Sequence, residues 1–243
     1  MRHIVAGARV VGLRRAVSRA VHVHSVAGEG RMHIACLGWG SLIWEPCRGN
    51  HPTSLCSEGV VAGTVAEGGT WRTDGPTLPI EFLRHSNEKS APNDYLSLVI
   101  SPNDGTPVAT LWTKLVLPPF QDVSAALRYA AERLCAREGC NQEWIKEVNI
   151  HGAVPPNELD AQIQTWAHAQ GVDGVVWTAL PPRWNRANGQ LPGQADALTF
   201  LQSGNKKRAE LYIRYAPPQI ATKYRAAIEQ ALGWTPLAAP QHP

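Results

Sequence analysis

No apolar run in the 243-residue chain approaches the roughly 18–20 residues that span a bilayer, so no membrane-embedded segment is expected. There is no C-x-x-C pair, and no H-x-x-x-H falls on a plausible helix; a metal site is therefore not expected. The cysteines (Cys36, Cys47, Cys56, Cys135 and Cys140) are odd in number and no signal-peptide pattern precedes them. That argues against a disulfide scaffold and fits a reducing, cytoplasmic setting. Positive charge is scarce beyond residue 31. The first 31 residues hold six arginines against Glu29, a balance of about +5, whereas the rest carries 17 basic and 19 acidic residues. The body offers no electrostatic surface for nucleic acid. Phenylalanine is rare at 3, while tryptophan reaches 9; most of these are expected in the core, with the remainder free to line a pocket.

What is present is a composition that can build a core, with 44% hydrophobic and 18% charged residues. Residues 1–31 admit three readings: an organelle-targeting segment, a membrane-surface helix, or a basic extension that need not be ordered and adds nothing to the fold. The third is preferred, because Met32 is followed at once by a strand pattern, His33 to Leu37. Residues 45–58 form a loop, and Val60 to Val65 a short strand. Leu78 to Leu83 is a strand entered through Asp74-Gly75-Pro76. Tyr95 to Ile100 and Pro107 to Leu117 are expected to pair around the turn 102–105.

One helix is well marked: Asp122 or Ser124 can cap it, Leu127, Ala131, Leu134 and Glu138 share one face, and Gly139 suits a left-handed C-terminal cap. From about residue 157 an α/β extension follows. Its elements are a helix Glu158 to Ala169, a strand Val172 to Ala179, a loop 181–193, a helix Ala195 to Gln202, an undecided segment Ala209 to Tyr215, and a helix from Pro217 to Gly233. Residues 235–243 are a tail. The fold class is α+β, a mixed, mainly antiparallel and partly closed β-barrel with packed helices.

The chemistry-bearing candidates are few. The loop Gly38-Trp39-Gly40-Ser41-Leu42 lets the backbone turn after the first strand and lets a ligand approach it; its amides can hold an anion. It has neither phosphate-loop nor nucleophile-elbow spacing. Glu138 extends an apolar helix face and sits in the last turn, where burial and the negative helix end both oppose its charge. The plain alternative is a solvated glutamate paired with Arg137 or Lys146. Glu81, alternating with Ile80 and Phe82, faces either a barrel interior or water and is a candidate substrate orienter. Asp74 is a turn former. Lys206, Lys207 and Arg208 are expected in a solvated loop, and Arg183 with Trp184 in a loop that either covers a pocket or is merely exposed.

The strand followed by Gly38-Trp39-Gly40-Ser41-Leu42 resembles the opening of the γ-glutamylcyclotransferase-like family, with Trp39 where that family has tyrosine. Leu78-Pro79-Ile80-Glu81-Phe82, Val108-Ala109-Thr110-Leu111-Trp112 and Arg137-Glu138-Gly139 are similar to further family segments in the same order, over roughly residues 32–150. The resemblance implies cyclisation of a γ-glutamyl compound to 5-oxoproline with release of an amine. Glu138 would be the catalytic base, and Gly38, Trp39, Gly40, Ser41 and Leu42, with Glu81, would bind a small γ-glutamyl-type substrate, without cofactor or metal. The alternative is a non-catalytic metabolite-binding or interaction protein on the same fold.

Overall fold

The computed structural model describes residues 32–45, 71–87 and 93–238. The basic extension 1–31, the strand expected at 60–65, most of the loop 45–58 and the last residues of the tail lie outside them. The described strands are β1 (Ile34–Gly38), β2 (Thr77–Ser86), β3 (Tyr95–Ile100), β4 (Thr106–Ala109), β5 (Leu111–Lys114), β6 (Ile145–Asn149), β7 (Gly174–Thr178), β8 (Arg183–Trp184) and β9 (Ala187–Asn188). The described helices are α1 (Val123–Glu138), α2 (Glu158–Ala169), α3 (Gln194–Gln202), α4 (Lys207–Tyr215) and α5 (Lys223–Leu232).

Two mixed sheets result, one ordered β5-β1-β7-β6 and one ordered β3-β2-β8-β9 with β4 also on β2. Among the described residues they do not close into a barrel, which corrects that part of the expectation. The chain passes between the sheets at Thr110. Its N–H and hydroxyl both donate to the Pro76 carbonyl, and its own carbonyl accepts from Gly75. This corner lets one extended segment pair with β2 before it and β1 after it.

The pairing expected across residues 102–105 does not form. β3 and β4 are both antiparallel to β2, with Ile80 opposite both Ile100 and Thr106. The intervening residues make an excursion closed by Gly105 N–H donating to the Ser101 carbonyl. A turn-rich sequence marks a change of direction, but only the partner strand decides whether the chain returns on itself.

The section from residue 157 is not an appendage. β7 lies between β1, to which it is parallel, and β6, to which it is antiparallel. Its core run Val175-Val176-Trp177 is fully buried, as a strand covered on both faces requires. β6, missed in the sequence, is an edge strand in which only Ile145 and Val148 are buried.

Helix α1 packs on this sheet through Ala126, Leu127, Ala130, Ala131 and Leu134. Asp122 caps its start by accepting from Ala125 N–H, and Gly139 ends it at φ 60°. A Cβ on Gly139 would meet nothing within 4 Å, so Gly139→Ala isolates the backbone cost of the left-handed cap. It is expected to lower stability by about 1 kcal/mol, read from the urea midpoint at unchanged slope.

Segment Ala209 to Tyr215, left open by the sequence, is part of helix α4 and packs on β3. Lys207 at its start is exposed, but Lys206 and Arg208 on either side of it are partly buried and ion-paired, which corrects the reading of those two as solvated. Lys206 Nζ is 2.9 Å from Asp94 and 3.7 Å from the Phe200 ring centre; Asp94 also meets His85 Nε2 at 3.1 Å. Burial opposes the Asp94 charge, but Lys206 and His85 outweigh it and hold the carboxyl below its usual range. The ion pair therefore contributes stability above the unfolded carboxyl's pKa, and that contribution is lost as pH falls through the depressed folded value. Lys206→Met is expected to cost about 2 kcal/mol at neutral pH and less in acid, measured by urea unfolding at both.

Candidate active site

The loop after β1 turns tightly. Ile43 N–H donates to the Gly40 carbonyl, while Trp44 and Glu45 N–H donate to that of Ser41. The amides of Gly40, Ser41 and Leu42 thus lead the turn and are not used within it. Both glycines are needed for close approach, though by side chains rather than by a ligand. A Cβ on Gly38 would lie 2.7 Å from the Trp71 ring, and one on Gly40 only 2.6 Å from the Tyr212 hydroxyl. Trp39 is buried, and its Nε1 donates to the Leu98 carbonyl at 3.3 Å.

Two contacts tie this loop to the end of α1 and to α4. Arg137 Nη2 donates to the Glu45 carbonyl at 2.9 Å, and Arg208 grips the Glu45 carboxylate with two contacts of 2.8 and 2.9 Å. These place Glu138 beside the loop. Gly38, Trp39, Gly40, Ser41, Leu42 and Glu138 all line one cavity of about 380 Å³. That volume suits a small metabolite. Residues beyond the sequence candidates also line it, including Arg84, Ser97, Tyr95, Asn141 and Tyr212. Arg183 does too, while Trp184 packs against His85 and Phe200.

Glu138 ends α1 with its Oε1 fully buried and without a hydrogen-bond partner among the described residues. Burial pushes its carboxyl above the usual range; Arg137 opposes the shift and Glu45 reinforces it. A carboxyl raised in this way is a better proton acceptor than an ordinary one. Burial, with Cys135 and Glu138 beside it, pushes the thiol of Cys140, also in the lining, up to about 12, which disfavours its thiolate.

Glu81 does not join the others. It is fully buried in β2 but outside the cavity lining. Its carboxylate accepts from Thr106 Oγ1 at 2.9 Å, its own neighbour Phe82 N–H at 3.0 Å and Tyr224 N–H at 3.3 Å. Tyr224 lies in the first turn of α5, so Glu81 meets the positive end of a helix and anchors it to the sheet. The alternating pattern placed it opposite Ile80 and Phe82, but α5 covers that second face.

Tyr212 and Tyr95 were not candidates from sequence. Their rings lie 4.6 Å apart, centre to centre, beside the loop. The apolar spacing Ala209, Tyr212, Ile213 on a helix is the signal that finds Tyr212, and it carries weight only once 207–215 is known to be helical. No family model matches the chain, and neither a curated protein nor a solved structure similar to it was found.

Proposed function

We propose that the protein cyclises a γ-glutamyl compound to 5-oxoproline and releases an amine. One observation carries this reading: a desolvated carboxylate, Glu138, and the leading amides of a glycine-flanked turn line the same small cavity. The reaction requires that pairing. The substrate's α-amine attacks its own γ-carbonyl carbon, Glu138 takes the amine proton, and a tetrahedral oxyanion forms. The bond to the leaving nitrogen then breaks, and Glu138 returns the proton to that nitrogen. The amides of Gly40 and Leu42 hold the α-carboxylate, an anion at the amino end of a turn. The cavity confines the flexible γ-glutamyl chain so that amine and carbonyl meet, which offsets the entropy of ring closure. Atoms and charge balance with no added reactant.

The test is incubation of the full chain with γ-glutamyl amino acids, γ-glutamyl peptides and γ-glutamyl amines, with 5-oxoproline followed by chromatography. Product from at least one class, lost on Glu138→Gln, supports the reading. Binding without product would favour the metabolite-binding alternative instead.

A further inference from the structure

Tyr212 lines the same cavity as Glu138 and the loop after β1. It is buried, between Trp44 at 5.3 Å and Tyr95 at 4.6 Å, ring centre to ring centre. Its hydroxyl reaches over Gly40 so closely that no side chain fits there. Leu98 N–H donates to the phenolic oxygen at 3.5 Å. The oxygen thus already accepts from the backbone. Its single proton has no acceptor among the described residues.

The cavity is thus lined by Tyr212, whose O–H proton is unspent, and by Glu138, whose buried Oε1 has no hydrogen-bond partner among the described residues. The two are not hydrogen-bonded to each other. A buried polar group without a partner is costly, and one such group of each kind fits a ligand presenting both an acceptor and a donor. A γ-glutamyl group does so, through its γ-carbonyl oxygen and its α-amine.

Building on the cyclisation reading, we infer that Tyr212 is a catalytic residue, the donor that receives the γ-carbonyl oxygen as it becomes an oxyanion. The Leu98 amide acts through it. By donating to the phenolic oxygen it polarises the O–H bond and strengthens it as a donor. The substrate's carbonyl oxygen gains negative charge as the α-amine attacks and loses it as the leaving nitrogen departs. The Tyr212 proton stays on the phenol throughout, hydrogen-bonded to that oxygen. Glu138 alone moves a proton.

The experiment compares the full-length protein with Tyr212→Phe, Gly40→Ala and the double variant, on the γ-glutamyl substrate that the wild type turns over best. Phenylalanine keeps the ring packing and removes only the hydroxyl. Its kcat is expected to fall about 10²–10³-fold with KM within about threefold, the loss of one oxyanion donor. Gly40→Ala forces the hydroxyl away and is expected to lower both kcat and the melting temperature. In the double variant the clash is gone, so the melting temperature recovers while kcat stays at the Tyr212→Phe level. That non-additive pattern separates a donor from a packing residue, and Gly40→Ala serves alone if Tyr212→Phe does not fold. A wild type that makes 5-oxoproline, with Tyr212→Phe within about twofold of it in kcat, overturns this inference and leaves the cyclisation reading standing. A wild type that makes none from any γ-glutamyl compound overturns both.

Discussion

Glu138→Gln is expected to abolish 5-oxoproline formation, lowering kcat by about 10²–10⁴-fold, while making the protein more stable at neutral and alkaline pH. Glutamine keeps the shape of the side chain but can neither take the proton of the attacking amine nor return it to the leaving nitrogen. The stability gain follows from the raised carboxyl pKa. Burial holds the Glu138 proton more tightly in the folded chain than in the unfolded one. As pH rises through the unfolded value, near 4.5, the unfolded chain loses its proton first and stability declines. The decline ends once pH has passed the higher folded value. Glutamine does not titrate, so the melting temperature of the variant should exceed that of the wild type by a margin that grows over this window and then levels off. Thermal melts at pH 4 and pH 8 measure it. In the wild type, kcat/KM should fall in acid with an apparent pKa above the ordinary carboxylate range. A pH–rate profile with its midpoint at the usual glutamate value would remove Glu138 from proton transfer.

Arg225→Met is expected to destabilise the fold by about 3–5 kcal/mol. Arg225 is buried in α5, although it carries a charge. Its Nη1 donates to the Pro217 carbonyl at 2.7 Å and to that of Ile220 at 3.3 Å, its Nη2 donates to the Ala216 carbonyl at 2.9 Å, and its Nε meets Glu229 at 3.0 Å. One guanidinium thus satisfies three carbonyls in the connection between α4 and α5. Burial alone lowers its pKa, and Glu229 opposes that shift. Methionine fills similar space but leaves the Ala216 carbonyl without its donor, and those of Pro217 and Ile220 with only a backbone N–H each, from Ile220 and Thr222. Lysine has a single terminal nitrogen and cannot reach all of them. Urea unfolding at constant slope measures the loss. The consequence reaches the cavity, because α4 carries both Tyr212 and Arg208. The 5-oxoproline assay on folded Arg225→Lys should therefore report a weakened site as well as a weakened fold.

Several features were legible because they are local. The α1 face, its Asp122 cap and its Gly139 terminus depend on residues within a few positions of one another. The same spacing placed Glu138 on the buried side. Helix α2 shows a similar local signature, with Asn157 capping it by accepting from Asp160 N–H. The glycine-flanked loop stood out because two glycines beside a strand end restrict what the backbone can do there.

Other features depended on partners far away in the chain. Glu81 alternates like a site residue, but its role was settled by α5, more than 140 residues later. Arg208 belongs to a charged run that looks solvated, and only the folded chain brings Glu45, 163 positions away, into contact with it. Periodicity and capping act over one or two turns, so the amino-acid order by itself located β1, β2, α1, α2 and β7 and the apolar face of α1, while β6 and α4 escaped it. Which strand neighbours which, whether a barrel closes, and which charges end up paired rest on contacts between distant segments. Those contacts are chosen by the packing of whole surfaces, and it is this packing that sets Tyr212 against Gly40 and opens the hollow beside Glu138.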